Sequence, residues 1–362
     1  MRLPALLAAT LALAGCAGPV EVDANRALDY GGPLALERTR SLARTVDALV
    51  AGTGNFGRRS QALDRIHELG LDKFARTEWI DWWTPQTNVI VEIPGTGADG
   101  NEPLVYVTAH YDKIDVRPDM FVSRILVDML EPLLSWSYMS CGAVDNATGC
   151  AVALEMAREL SLHPRPETYR CILFGGEESG LRGSRCYVAG LSEHDVQRTR
   201  LVVNVDSVAV KEGVNGVLEN RDHPEITRAA LKIANERDFD LVQWSLPGNF
   251  GGDDESFANT SPWTDVARSF LFNLYGFVLP QRSYFTAPKS MPTVSFASPD
   301  SIDALDTVAS IVPIPVGCLH GPRDRPSRVD AWLLYEQFEI VRELTALPAS
   351  KLAPKKKRAS AE

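Results

Sequence analysis

The sequence predicts an α/β protein, a three-layer αβα sandwich around a mostly parallel, mixed central sheet. Two observations carry this. Short apolar, β-branched runs alternate with amphipathic helical stretches along the chain, as in a sheet covered on both faces. Three of those runs also stop on chemistry-bearing residues, which is where an open parallel sheet places its ligand edge. Composition agrees, since 45% apolar and 23% charged residues describe a globular chain able to bury a large core.

Taken in order, Leu36–Val50 and Ser60–Leu69 read as helices. Asn88–Ile93 and Leu104–Ala109 read as strands, followed by a helix over Thr148–Leu160. Strands at Tyr169–Phe174 and Leu201–Val205 precede a helix over Pro224–Arg237. Met291–Phe296 and a run near Ile314–Val316 complete the strands. The final helix, Arg328–Ala346, carries Val329, Trp332, Leu333, Phe338, Val341 and Leu344 on one apolar stripe. No internal repeat is visible.

Residues 1–15 read as a secretory leader. Arg2 precedes an apolar stretch, Leu3–Leu13, that is shorter than the roughly 18 residues a bilayer span needs and ends in small residues. Leu13-Ala14-Gly15-Cys16 resembles the lipobox of bacterial lipoproteins. The resemblance implies cleavage before Cys16, lipidation of Cys16 and a membrane-anchored protein of the cell envelope.

A tether is expected over 16–35 and one catalytic domain over 36–348, followed by a basic tail over 349–362. Lys355-Lys356-Lys357-Arg358 in that tail reads as a solvated end. Apolar insertions near 113–139 and 258–290 offer a lid or a homo-oligomer surface, with extra core helices the plainer alternative. The net charge of 37 − 47 = −10 excludes a nucleic-acid footprint, which needs clustered Lys and Arg. Beyond Cys16, the cysteines Cys141, Cys150, Cys171, Cys186 and Cys318 are odd in number, so at least one is free; their pairing stays open.

The functional residues sit at strand ends. His110-Tyr111-Asp112 follows Leu104–Ala109, Glu177-Glu178 follows Tyr169–Phe174 through two glycines, and Asp206 follows Leu201–Val205. Asp145 opens the helix at Thr148, and His320 lies in Cys318-Leu319-His320-Gly321-Pro322. Each alone reads as an ordinary surface or capping residue. Together they make two imidazoles and three carboxylates with one carboxylate to spare, a mixed N/O donor set suited to Zn²⁺. His67, His163, His194 and His223 lie in no such pattern.

T-A-H-Y-D, G-A-V-D-N-A-T-G, F-G-G-E-E-S-G-L-R-G-S, N-V-D-S and L-H-G-P-R-D-R-P-S-R-V-D occur in that order between Asn88 and Asp330. Their order and flanking glycines resemble the co-catalytic di-zinc aminopeptidase family, whose clan includes glutaminyl cyclases and glutamate carboxypeptidases. The resemblance implies two Zn²⁺ ions, one possible variant using a single ion, and a peptide or small amide substrate. It places His110 and Asp206 on one ion, Glu178 and His320 on the other, and Asp145 between them. Asp112 would orient His110, and Glu177 would serve as general base and acid.

Two positions depart from the family pattern. Leu319 stands where an aromatic residue is common, and Asp254 where a His is common. A glutaminyl cyclase-like acyl transferase with one zinc, drawing on Asp253-Asp254 and Cys150, is the first alternative. A catalytically inactive surface binding protein of the same fold is the second.

Overall fold

The computed structural model describes residues 16, 18–52, 54–81, 84–97, 100–113, 140–178, 180–220, 222–245, 252–258, 290–302 and 323–352. The expected leader, the insertions over 114–139 and 259–289, the run Ile314–Val316, Leu319, His320 and the end of the basic tail lie outside the described residues.

Eight strands form one mixed sheet in the order β1-β2-β4-β3-β5-β8-β6-β7. They are β1 (Ala75–Asp81), β2 (Thr84–Ile93), β3 (Leu104–His110), β4 (Thr168–Phe174), β5 (Thr199–Val205), β6 (Asn215–Leu218), β7 (Leu241–Trp244) and β8 (Thr293–Phe296). The block β4-β3-β5-β8 is parallel throughout. The antiparallel pairings join β1 to β2, β2 to β4 and β6 to β8.

Residues of β3 are buried along its whole length, and their side chains divide by the two-residue period of a strand. Val105, Val107 and Ala109 enter one apolar layer, while Leu104 and Tyr106 enter the other. That double burial explains why the central strands read as continuous apolar runs. Edge strand β1, Ala-Arg-Thr-Glu-Trp-Ile-Asp, mixes charged, polar and apolar residues and is half exposed, so it lacks the run that marks the central strands.

On one face of the sheet pack α1 (Ala24–Ala51), α2 (Gly54–Glu68), α3 (Thr148–Leu162), α6 (Pro224–Glu236) and α7 (Ala331–Leu344). The other face carries α4 (Arg182–Gly190), α5 (Glu193–Arg198) and a single 3-10 turn over Asp253–Ser256. There Tyr106, Phe174, Tyr187 and Phe257 form an aromatic cluster, with the Tyr106 and Phe257 centroids 5.4 Å apart. Three helices of the first face are also joined by Arg38 of α1, which binds Glu159 of α3 and, at 2.8 Å, Glu339 of α7. Asp330 caps α7 by accepting from the N–H groups of Trp332 (2.8 Å) and Leu333 (3.1 Å). The expected stripe of α7 is buried as read.

The segment expected as a tether over 16–35 is instead ordered against the core. Val20 is buried and donates its N–H to Asp47 Oδ1 at 2.8 Å, and Asp23 caps α1 by accepting from the Arg26 N–H at 3.0 Å. The periodic pattern is interrupted at Gly32-Pro33, where Gly32 takes φ 71° because proline disfavours helical geometry in the residue before it. The chain resumes its helical course beyond this kink, so the element extends twelve residues earlier than Leu36 suggests.

Cys16 is joined to Cys141 in a disulfide. One sulfur cannot carry both a disulfide and a lipid thioether, so the disulfide-bonded chain is not the lipidated form expected for Cys16. Sequence could not reveal this partner, 125 residues away.

Candidate metal centre

Among the described residues, His110, Asp145, Glu177, Glu178 and Asp206 gather beyond the carboxyl ends of the parallel block. His110 is the last residue of β3 and is paired in register with Phe174, the last of β4, so the turn carrying Glu177 and Glu178 leaves beside it. Asp206 follows β5, its N–H donating to the Phe296 carbonyl at the end of β8. Asp145 lies in a tight turn over Ala143–Ala147 that leads into α3.

Asn146 ties that turn to β5. It donates to the Val205 carbonyl at 2.9 Å, while its own side-chain oxygen accepts from the N–H groups of Gly149 (2.9 Å) and Ser207 (3.3 Å). One amide thus fixes the residue after Asp145 against both neighbours of Asp206.

His110 Nε2 faces Asp145 Oδ1 at 3.0 Å and Asp206 Oδ1 at 3.4 Å. One donor atom from each of these three residues falls within 4.8 Å of the others. His110 and Asp145 are buried, and Asp206 is partly open. On the other side of the ring, Nδ1 is 3.0 Å from the Asp112 carbonyl oxygen and 3.6 Å from its carboxylate. The carbonyl is therefore the closer partner, and it selects the tautomer with hydrogen on Nδ1 and a lone pair on Nε2.

The Asp112 carboxylate is engaged elsewhere. Its two oxygens accept from the N–H groups of Glu177 (3.1 Å) and Glu178 (3.2 Å). Asp112 orients the imidazole chiefly through its main chain, whereas its side chain shapes the Glu-Glu turn. This refines the sequence expectation that Asp112 orients His110.

Charge in the site is heavily negative. Burial opposes protonation of His110, yet the carboxylates of Asp206 and Glu177, with hydrogen bonding toward Asp112 and Asp145, lift its pKa well above the ordinary value. Glu177 is pushed well above the usual carboxylate range, first by burial and then by Glu178, Asp253 and Asp206, with His110 opposing. Asp253, buried, rises to about 7 for the same first reason, and Asp254 likewise to about 7. These shifts have a common meaning: the pocket seeks positive charge. A nitrogen lone pair directed at two carboxylate oxygens fits a divalent cation in its midst, and the N/O donors suit Zn²⁺.

Glu178 stands on the same edge through its N–H bond to Asp112. His320 lies outside the described residues. Three of the other four histidines are occupied elsewhere: His67 faces Asp72, His194 faces Asn101 and His223 faces Glu225. Cys150 is a buried free thiol that donates to the His110 carbonyl at 3.1 Å, and burial pushes its pKa up to about 12. It supports the ligand strand and is poorly suited to nucleophilic work.

Sequence reasoning missed two charged residues behind the site. Arg58, wholly buried on α2, donates to the carbonyls of Tyr111, Cys141 and Gly142. Asp324, also buried, accepts from the Val144 and Asp145 N–H groups and from the Ser140 hydroxyl. Asp324 belongs to the motif around His320 but carried no distinguishing signal. Arg58 sits on a helix whose period gives no hint of an inward charge.

Comparison with known proteins accords with this geometry. Residues 88–265 match peptidase family M28. Aminopeptidase YwaD of Bacillus subtilis is 39% identical over 105 residues, covering 29% of this chain and 18% of that protein. The chain thus spans about a fifth of the length of this curated relative.

Among solved structures, a glutaminyl cyclase from an Acidobacteriales bacterium superposes with a TM-score of 0.56 at 14% identity, covering 85% of this chain and 92% of that one. LapA aminopeptidase of Legionella pneumophila gives a TM-score of 0.54 at 15% identity, covering 93% and 77%. At these identities the likeness establishes the fold.

Proposed function

Because residues 88–265 of this chain belong to peptidase family M28, we propose that it is a zinc-dependent peptidase that removes residues from the amino end of peptides. The observation that carries the proposal is the convergence of Asp145 and Asp206 oxygens on His110 Nε2. His110, Asp145 and Asp206 would hold one zinc, and Glu178 and His320, with Asp145 shared, a second. Zinc in such a site supplies Lewis-acid polarisation of the scissile carbonyl and acidifies water.

The chain's own residues do the rest. Glu177 takes the proton of the attacking water and returns it to the leaving amine, and burial, which raises its pKa, favours a carboxyl that holds the proton between the two transfers. Asp112 keeps that carboxyl in place by holding the N–H groups of Glu177 and Glu178. Cys150 and the Asp112 carbonyl hold His110 from behind. The relative named as an aminopeptidase supports amino-end cleavage.

One observation favours a second reading, a one-zinc glutaminyl cyclase-like acyl transferase. Asp253 is buried and its charge bears on Glu177, so a second acid faces the centre. Incubation with a peptide mixture and with an N-terminal glutaminyl peptide separates the two, by loss of terminal residues or of ammonia in the mass spectrum.

Glu177→Gln tests the mechanism. It should bind zinc as the parent does while losing about 10² to 10⁴ in kcat/KM. Near-full activity in that variant refutes the role. An exported location is also proposed, supported by the leader-like start and by the disulfide, which belongs to oxidising compartments.

A further inference from the structure

The turn that carries Asp145 is gripped from both sides by buried charges. Arg58 approaches from α2 and is wholly buried. Its Nε donates to the Tyr111 carbonyl at 2.5 Å, and its two terminal nitrogens donate to the carbonyls of Cys141 and Gly142, each at 3.0 Å. One planar guanidinium therefore joins the residue after His110 to the residues leading into Asp145. Gly142, with φ 65°, passes so close to the Arg58 guanidinium that a Cβ there would collide with it.

Asp324 approaches from the opposite side. Oδ1 accepts from the Val144 N–H at 2.6 Å; Oδ2 accepts from the Ser140 hydroxyl at 2.9 Å and lies 3.4 Å from the Asp145 N–H. The Asp324 carbonyl also accepts from the Cys141 N–H at 3.1 Å. Carbonyls point one way and N–H groups the other, and each set meets a charge of opposite sign. Burying a guanidinium and a carboxylate is costly, and apolar side chains could fill the space more cheaply. Apolar side chains could not satisfy these main-chain groups, nor fix which way the turn faces.

We propose that Arg58 and Asp324 are positioning residues: a buried pair that clamps residues 140–145 so that the Asp145 carboxylate stands opposite His110, ready for the metal. This rests on the zinc peptidase reading. The clamp acts on both ligands at once, since Arg58 holds the segment after His110 as firmly as the one before Asp145. Its shape requirement is strict. Lysine at 58 keeps the charge but loses the fork that reaches three carbonyls. Asparagine at 324 is nearly isosteric, yet it presents either a donor or an acceptor where two acceptors are needed.

The test compares the zinc affinity of the full chain with that of Arg58→Lys and Asp324→Asn, by competition with a chromophoric chelator. The visible spectrum of each cobalt-loaded protein and the thermal midpoint of each metal-free protein are recorded in parallel. The expected result is a roughly 10- to 100-fold loss of zinc affinity and an altered cobalt spectrum, in metal-free proteins that remain folded. Folded variants whose affinity and spectrum match the parent overturn the clamp.

If either variant fails to fold, Ser140→Ala decides. It removes the hydrogen bond that the Ser140 hydroxyl donates to Asp324 and the one it accepts from the Gly142 N–H, and should weaken zinc binding a few-fold, while an unchanged affinity overturns the proposal. A parent protein that binds no zinc overturns the peptidase reading, and the clamp with it. Tight binding by the parent, equalled by the variants, overturns the clamp alone.

Discussion

Reduction of the Cys16–Cys141 disulfide should destabilise the protein measurably. The bond closes a sequence separation of 125 residues. In the chain-entropy description, releasing such a loop frees about 16 cal/mol/K in the unfolded chain, or about 5 kcal/mol at room temperature. Part of this is offset, because in the reduced native chain the residues before buried Val20 can detach and regain backbone freedom. The net loss should be about 2–4 kcal/mol. At about 2 cal/mol/K of unfolding entropy per residue, a chain of this size should melt about 3–5 °C lower.

The assay is thermal unfolding of the oxidised and reduced full chain, with Cys16→Ser as a reductant-free counterpart. Native-state alkylation followed by peptide mass mapping tells which cysteines were opened. Cys150 and Cys171 provide internal controls, since burial pushes both thiols up to about 12 and should keep them unlabelled. Midpoints that agree within 1 °C, with the bond demonstrably open, refute the reasoning. Alkylation of Cys16 and Cys141 before reduction refutes the disulfide itself.

Two further perturbations probe the scaffold. Glu336 on α7 is held at about 7, against an ordinary value of 4.5, chiefly by burial, so the native state binds its proton more tightly than the unfolded state does. Stability should therefore fall as pH rises from about 4.5 to about 7. Glu336→Gln should recover about 1–2 kcal/mol at pH 8 and almost nothing near pH 4, measured by urea unfolding at both values. Asp23→Ala removes the cap of α1 and should cost about 1 kcal/mol in the same assay.

The sequence was informative where the structure imposes a period or an end. Strands β3, β4 and β5 were legible because both of their faces are buried, and the residues following them marked the site for the same reason. Strands β1, β6 and β7 were not, being short or half exposed at the edges, where charged residues are tolerated. Helix α1 was seen only beyond its kink, since Gly32-Pro33 imitates a boundary and the earlier turns bury few apolar residues.

By itself, then, the sequence determined the α/β class, the parallel core, and the delivery of His110, Glu177, Glu178 and Asp206 to one edge. Local chemistry sufficed for this, because apolar periodicity and strand ends are properties of consecutive residues. Only the tertiary structure decided that Asp112 serves the Glu177-Glu178 turn with its side chain and His110 with its carbonyl, that Cys16 meets Cys141, and that Arg58 and Asp324 close on the Asp145 turn. Apart from His110 and Asp112, two positions apart, these pairings join residues 65 to 180 positions apart. Their partners are main-chain groups or a second thiol, which every sequence offers in many places, and only the folded chain selects among them.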